Sequence, residues 1–301
     1  MPLNQLAQTN SRPASPHDYV TRRIGSMLLE RASWEGHWKE LISNFSPRRG
    51  KFLATDRNRG TRRNTLSNNT PLFARRILVS GLMTGITSPA RPWFRLGPPD
   101  PGMAEFGPVR SWLDQVERLM YKIFSSSNLY KALPLVYEES GVCGTGAMIQ
   151  EDDFDDISRF TNFTAGEFML DINSHLKVDT FAREYEMSVS QLVEEFGYEQ
   201  VSRTVQNLYD VGTYGAWIKV NHLIEPVGNM QFDEFKLPDK FKWRSIYYEP
   251  GVDGLNKSQF LRVKGYETFP ILAPRWDAKA GDIYGFSPGM DALGDSRALQ
   301  V

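Results

Sequence analysis

Cysteine is nearly absent from this 301-residue chain, and the one present, Cys143, has no second thiol with which to close an intrachain disulfide. No Cys/His pair stands near it at zinc-ligand spacing, so a structural zinc site is excluded there and a reducing compartment such as the cytoplasm fits best. The four histidines, His17, His37, His175 and His222, are scattered without an i, i+4 pair and read as structural or surface residues. Long apolar runs are missing too. None approaches the roughly 18 residues that cross a bilayer, and residues 1–15 are polar and proline-containing, so neither a membrane span nor a secretory signal is expected. An excess of one charge is also lacking: 35 basic residues stand against 36 acidic ones. A nucleic-acid-binding domain usually shows a strong basic surplus, so any affinity for a polyanion has to be local.

What the sequence has is the apolar content of a folded protein, 41% hydrophobic over 301 residues, enough for two domains or layers. The first half reads as helical. Ser15-Pro16-His17-Asp18 combines an N-cap serine, a first-turn proline and an acid three residues after the cap. Behind it Val20, Ile24, Met27, Leu28, Trp34, Trp38, Leu41, Ile42 and Phe45 recur at helical spacing until Ser46-Pro47. Thr70-Pro71 caps a second helix running to Ser88-Pro89, a third carries Val109, Trp112, Leu113, Val116, Met120 and Phe124, and a fourth starts at Asn128. Past Gly141 the texture changes to short strands: 144–149, a meander over 160–186, then 217–227, 241–248 and 259–266. Short helices interrupt them at 188–196, closed by Gly197, and at 201–209. Ser287-Pro288 opens a last helix, which at Val301 has no terminal cap, so the protein is expected to continue. The expectation is an α+β chain: a helical part over 1–143, a strand-rich part over 144–285 and a helix beginning at 286–301.

Segment 48–63 is the strongest local signal for a partner. Arg48, Arg49, Lys51, Arg57, Arg59, Arg62 and Arg63 face a single acid, Asp56, among Gly, Asn and Thr. Such an arm suits successive phosphates of DNA in a salt-dependent, sequence-independent way. A loop that is merely solvated, or paired with a neighbouring acidic subunit, explains it equally well. On the first reading the chain would be a non-enzymatic nucleic-acid-binding module.

Catalytic constellations are thin. Gly144-Thr145-Gly146 lacks the third glycine of a dinucleotide site and the Gly-Lys-Ser/Thr of a phosphate loop. Ser140 is outside any nucleophile elbow, and Cys143 has no partner nearby in sequence; both read as buried packing. Acidic pairs at Glu138-Glu139, Asp152-Asp153, Asp155-Asp156 and Glu194-Glu195 could in principle serve a hydrolase or a divalent cation. Adjacent side chains on one element point apart, so each pair reads more simply as a solvated edge. No cofactor and no metal are expected.

Ordered strings carry more than composition. Trp34-Glu35-Gly36-His37-Trp38 leads into Phe45-Ser46-Pro47-Arg48-Arg49-Gly50, and later comes Gly81-Leu82-Met83-Thr84-Gly85-Ile86-Thr87-Ser88-Pro89-Ala90-Arg91-Pro92-Trp93-Phe94-Arg95-Leu96. The last group is Pro270-Ile271-Leu272-Ala273-Pro274-Arg275-Trp276, then Gly281-Asp282-Ile283-Tyr284-Gly285-Phe286-Ser287-Pro288, then Asp291-Ala292-Leu293-Gly294-Asp295. Together and in this order they resemble the portal, or head-to-tail connector, family of short-tailed double-stranded DNA phages (podophages), over nearly the whole chain. Singly they have plain readings: Gly81 and Gly85 as close helix packing, Trp93 as core, Arg275-Trp276 as a stacked pair. The resemblance implies a structural protein rather than an enzyme, a dodecameric ring at one capsid vertex of the virion, assembled in the host cytoplasm. It implies wing, stem and clip regions around a channel for DNA. Its implied partners are other copies of itself, double-stranded DNA, the terminase during packaging, the major capsid and scaffolding proteins, and tail adaptor proteins afterwards; no membrane is implied. The wing would be helical, the strands would add wing sheet and clip, and Ser287-Pro288 would begin a stem helix.

Overall fold

A computed structural model describes residues 13, 15–53, 66–104, 106–228, 232, 235–251, 260–279 and 281–300. It is a mixed helix-and-sheet chain, as the α+β expectation has it. Two compact units interleave along the sequence: one is Met1–Arg31 with Ala182–Thr268, the other Ala32–Phe181 with Phe269–Val301.

Helix α1 (Pro16–Phe45) contributes its first half to the former unit and its second half to the latter. Its start is the expected one, with the Asp18 amide donating to Ser15 Oγ at 3.1 Å. Val20, Ile24 and Met27 are buried early in the helix, Trp38, Leu41, Ile42 and Phe45 late in it, at the spacing that keeps one face inward. The second helix, α2 (Thr70–Gly85), has Asn69 rather than Thr70 at its N-cap. Thr70 lies inside, its amide held by Asn68 Oδ1 at 2.8 Å. A short α3 (Pro101–Ala104), which no periodic pattern announced, precedes α4 (Gly107–Ser126) and α5 (Leu129–Cys143). α5 is the central helix of its unit, with Leu129, Ala132, Leu133 and Val136 packed on Met148 and Phe160. It ends on Gly144, whose φ of 82° is left-handed and suits a residue without Cβ.

Strands β1 (Ala147–Asp153) and β2 (Ile157–Phe163) form an antiparallel hairpin with Ala147 opposite Phe163, and β1 pairs on its other side with β8 (Ile271–Leu272). A five-stranded sheet has the order β3-β4-β5-β6-β7, with β3 (Phe168–Ile172), β4 (Val178–Ser188), β5 (Trp217–Pro226), β6 (Trp243–Tyr248) and β7 (Arg262–Tyr266). Between β4 and β5 lie α6 (Val189–Phe196) and α7 (Arg203–Asp210). α6 has a full capping box between Ser188 and Gln191 and closes on Gly197. Val189, Leu192, Phe196, Val201 and Val205 pack there on Val220, Tyr247 and Leu261. The last expected helix is present but broken: α8 (Pro288–Asp291) and α9 (Leu293–Ala298) meet at Ala292.

Candidate functional site

The basic segment leaves α1 through Ser46-Pro47-Arg48-Arg49-Gly50, and this turn is fastened to its own unit. Gly50 takes φ 81°, and its amide donates to Thr164 Oγ1 at 2.8 Å; the Lys51 amide donates to the Ala165 carbonyl at 2.9 Å. Arg49 Nε lies 3.2 Å from Glu139 Oε1, its Nη2 donates to the Leu135 carbonyl, and Lys51 Nζ is 3.6 Å from Glu167. Arg75 and Ser46 both donate to Glu138 Oε1, at 2.7 and 2.8 Å.

The reading of Glu138-Glu139 as a solvated edge is therefore overturned. Both carboxylates sit on α5, where Glu138 is partly buried and Glu139 is buried, accepting from Thr164 Oγ1 at 2.6 Å and the Ala165 amide at 3.1 Å. Burial pushes its carboxyl pKa up; the Arg49 guanidinium and the two hydrogen bonds oppose that rise. Arg48 is exposed, whereas Arg57, Arg59, Arg62 and Arg63 lie outside the described residues. The chain returns at Ser67 and Asn68, whose amides donate to Gln300 Oε1 at 2.9 and 3.2 Å. Both ends of the segment are thus anchored within one unit.

A second cluster gathers the family strings from far apart in sequence. Trp38 is buried and donates its indole N–H to the Cys143 carbonyl at 3.1 Å. Its ring meets Tyr284 edge-on at 4.8 Å, with Trp34 at 5.9 Å from the same tyrosine. The Leu170 amide donates to Tyr284 Oη at 3.2 Å. Gly285 and Gly144 cross backbone to backbone: a Cβ on Gly144 would stand 1.9 Å from the Gly285 carbonyl oxygen, one on Gly285 would stand 2.4 Å from that of Gly144. The Gly285 amide donates to Thr145 Oγ1 at 2.8 Å and the Trp276 amide to the Gly144 carbonyl at 2.9 Å. Ser287 caps α8, accepting from the Met290 amide while donating to the Val142 carbonyl at 2.7 Å, and Pro288 fills the first turn. Arg275 directs its guanidinium to the Asp282 and Leu176 carbonyls, while Trp276 is partly exposed.

The third string behaves differently. Arg91 donates to the Thr84 carbonyl at 2.9 Å and so closes the C-terminal end of α2, where carbonyls lack partners. Trp93 donates to Tyr130 Oη at 3.2 Å and stacks on Phe124, and Phe94 stacks on Tyr121 at 4.5 Å. Gly81 and Gly85, in contrast, have open space where a Cβ would stand. Close helix packing does not account for them among the described residues.

One buried polar group was missed in the sequence, and one histidine read there as structural or surface is a buried structural one. Glu225 and Arg244, opposite each other on β5 and β6, are fully buried and joined by Nε to Oε1 at 2.8 Å; the Tyr19 hydroxyl donates to the second carboxylate oxygen at 2.9 Å. Burial, then Glu225, pushes the Tyr19 phenol up to about 12. His222 is buried too, stacked on Tyr247 at 3.8 Å with Nε2 2.8 Å from Ser245 Oγ, and burial holds its pKa well below the usual imidazole value. The available signal was opposite charges inside strands that are otherwise apolar.

None of this assembles a reaction centre. Ser140 and Cys143 are buried, and burial, with Glu139 beside it, pushes the Cys143 thiol well up. Among the described residues no group of His, Cys, Asp and Glu could hold a metal, and no helix is long and apolar enough to cross a membrane.

The sequence profile of the family described as "Bacteriophage head to tail connecting protein" matches residues 18–301. The "Portal protein" of Salmonella phage epsilon15 is 45% identical over 285 residues, covering 94% of this chain and 50% of that protein. The "Probable portal protein" of Bordetella phage BPP-1 is 45% identical over 280 residues, 92% of this chain and 50% of that protein. The chain thus spans about half the length of these relatives. A match over residues 18–301, with 45% identity to these relatives over nine-tenths of the chain, meets the resemblance read from the ordered strings, and the chain belongs to the bacteriophage head-to-tail connecting protein family.

Proposed function

We propose that this chain is part of a portal subunit, a structural and non-enzymatic protein. Copies of it form a dodecameric ring at one vertex of a phage head, through which double-stranded DNA enters during packaging and leaves at ejection. The observation that carries the reading is the 45% identity to an epsilon15 portal protein over 94% of the chain. On this reading the terminase docks on the ring during packaging, tail adaptor proteins dock afterwards, and capsid and scaffolding proteins surround it. Residues 1–143 belong to the wing, 144–285 to wing sheet and clip, and 286–301 to the start of the stem.

The near-neutral charge supports a conduit. Each phosphate neutralised along a channel adds binding energy that DNA has to lose again in order to move, so a mixed surface favours passage. Arg49 and Lys51 hold the turn against Glu139 and Glu167, so contact with DNA or with a neighbouring subunit falls to Arg57, Arg59, Arg62 and Arg63, together with the exposed Arg48. Nuclease protection of DNA in heads assembled with and without the protein tests the function. Heads lacking it are expected to protect no added DNA; equal protection in both preparations would remove the portal reading.

A further inference from the structure

A ring built from identical subunits needs two different patches on each subunit, each fitting the other on the next copy. The described surface offers one such couple. On α4 the partly buried face carries Val109, Leu113, Val116 and Met120. A neighbouring stripe is left exposed: Trp112 and Leu119, 61% and 56% exposed, with Arg118 and Lys122 beside them at helical spacing. α4 has no fully buried residue along its whole length. Arg118 and Lys122 form no ion pair among the described residues.

The complement is the tip of the β1–β2 hairpin. Phe154 stands fully in solvent at 109% relative exposure, flanked by exposed Asp152, Asp155 and Asp156. Asp153 is turned back, accepting from the Asp155 and Asp156 amides at 2.9 and 3.0 Å and pairing with Arg159 at 3.1 Å, which fixes the turn that carries the aromatic ring. The tip is thus an exposed aromatic knob ringed by negative charge, and the α4 stripe is an apolar strip edged by positive charge. Among the described residues, the exposed aspartates of the tip and the cations of the stripe have no ion-pair partner. An exposed aromatic anchor with opposite charges around it is the arrangement that gives a protein interface both adhesion and register.

We infer that the hairpin tip of one copy docks on the α4 stripe of the next, with Phe154 between Trp112 and Leu119 and the aspartates against Arg118 and Lys122. This contact rests on the ring proposed above. It makes the occupant of the α4 face a second copy of this chain.

Two charge-reversed proteins test it: one carrying Asp152→Lys, Asp155→Lys and Asp156→Lys, the other Arg118→Asp and Lys122→Asp. All five positions are exposed, and unchanged circular dichroism would confirm folding. Each variant alone places like charges together, and its half-assembly concentration, read by native mass spectrometry, is expected to rise roughly 10-fold or more. Mixed in equal amounts and alternating around the ring, the two variants place every reversed tip on a reversed stripe and every unreversed tip on an unreversed stripe, so opposite charges meet at each contact and rings are expected to return. Phe154→Ala is expected to weaken assembly without responding to mixing. Rings that form equally well from either variant alone overturn the contact while the ring stands. Loss of assembly that mixing does not rescue, with a lowered melting temperature of the dissociated chain, places α4 under another part of the same chain and also overturns it. An unmutated protein that never leaves the monomer removes the ring and the contact together.

Discussion

Replacing Arg49 by methionine keeps the bulk of the side chain and removes the cation that faces a buried carboxylate. Glu139 would keep its hydrogen bonds from Thr164 and Ala165, and Glu138 would keep Arg75 and Ser46. Breaking a buried ion pair from one side costs about 3–5 kcal/mol; the Arg49 side chain is 24% exposed, so solvent screening and the surviving hydrogen bonds bring the expected loss to about 2–3 kcal/mol. The loss carries a pH signature. Burial already raises the Glu139 carboxyl above its unfolded value, so the native state holds that proton more tightly than the unfolded chain does. Stability from such a group is present below the unfolded pKa of about 4.3 and declines as pH rises through the folded one. Without Arg49 the folded value climbs further, so the variant should be weaker relative to the unmutated protein at pH 8 than at pH 5.5. Glu139→Gln in the same chain removes the charge and should restore most of the loss. Urea unfolding followed by tryptophan fluorescence at both pH values reads all three proteins. Equal stability of R49M and the unmutated protein at both pH values, or no recovery in the double variant, would refute the assignment of Arg49 as the partner of Glu139.

Gly285→Ala drives a methyl against the Gly144 carbonyl oxygen and the Trp276 amide, both backbone, and should cost about 3 kcal/mol in chemical denaturation, the upper part of the usual overpacking range. His222, held neutral by burial, leaves the native state without a proton that the unfolded chain takes up below about pH 6.5, so stability should fall as pH drops through that value. Its ring resonances should stay flat from pH 7.5 to 5 by NMR, and a normal titration there would contradict the burial argument. Arg244→Met leaves Glu225 charged and enclosed and should cost about 3–5 kcal/mol, recovered in large part by adding Glu225→Gln. Thermal melts of the single and double variants decide that point.

The local features were legible because their physics is local. Ser15, Ser188 and Ser287 announced three helix starts, and Gly197 one helix end, since a cap needs only residues within one turn. The ordered strings identified the family even though no single residue in them carries a reaction. Long-range encounters were closed to this reading. Nothing in the neighbourhood of Gly144 says that its backbone passes Gly285, and nothing near Glu138 and Glu139 says that Arg49 and Arg75 arrive from two other helices' ends. The same holds for the two units: each is built from two segments separated by a long stretch of chain, residues 32–181 in one and 182–268 in the other, and a change of composition along the chain marks element type rather than which segments pack together. Gly81 and Gly85 were assigned to helix packing by their spacing, but spacing does not tell whether the second helix belongs to the same chain.

The central claim is a ring. Electron microscopy of the purified protein, with native mass measured on the same sample across salt and concentration, tests it most directly. The proposed portal role predicts dodecameric particles with twelvefold symmetry and a central channel; a monomer of fixed mass without any annular particle, under every condition, would contradict it.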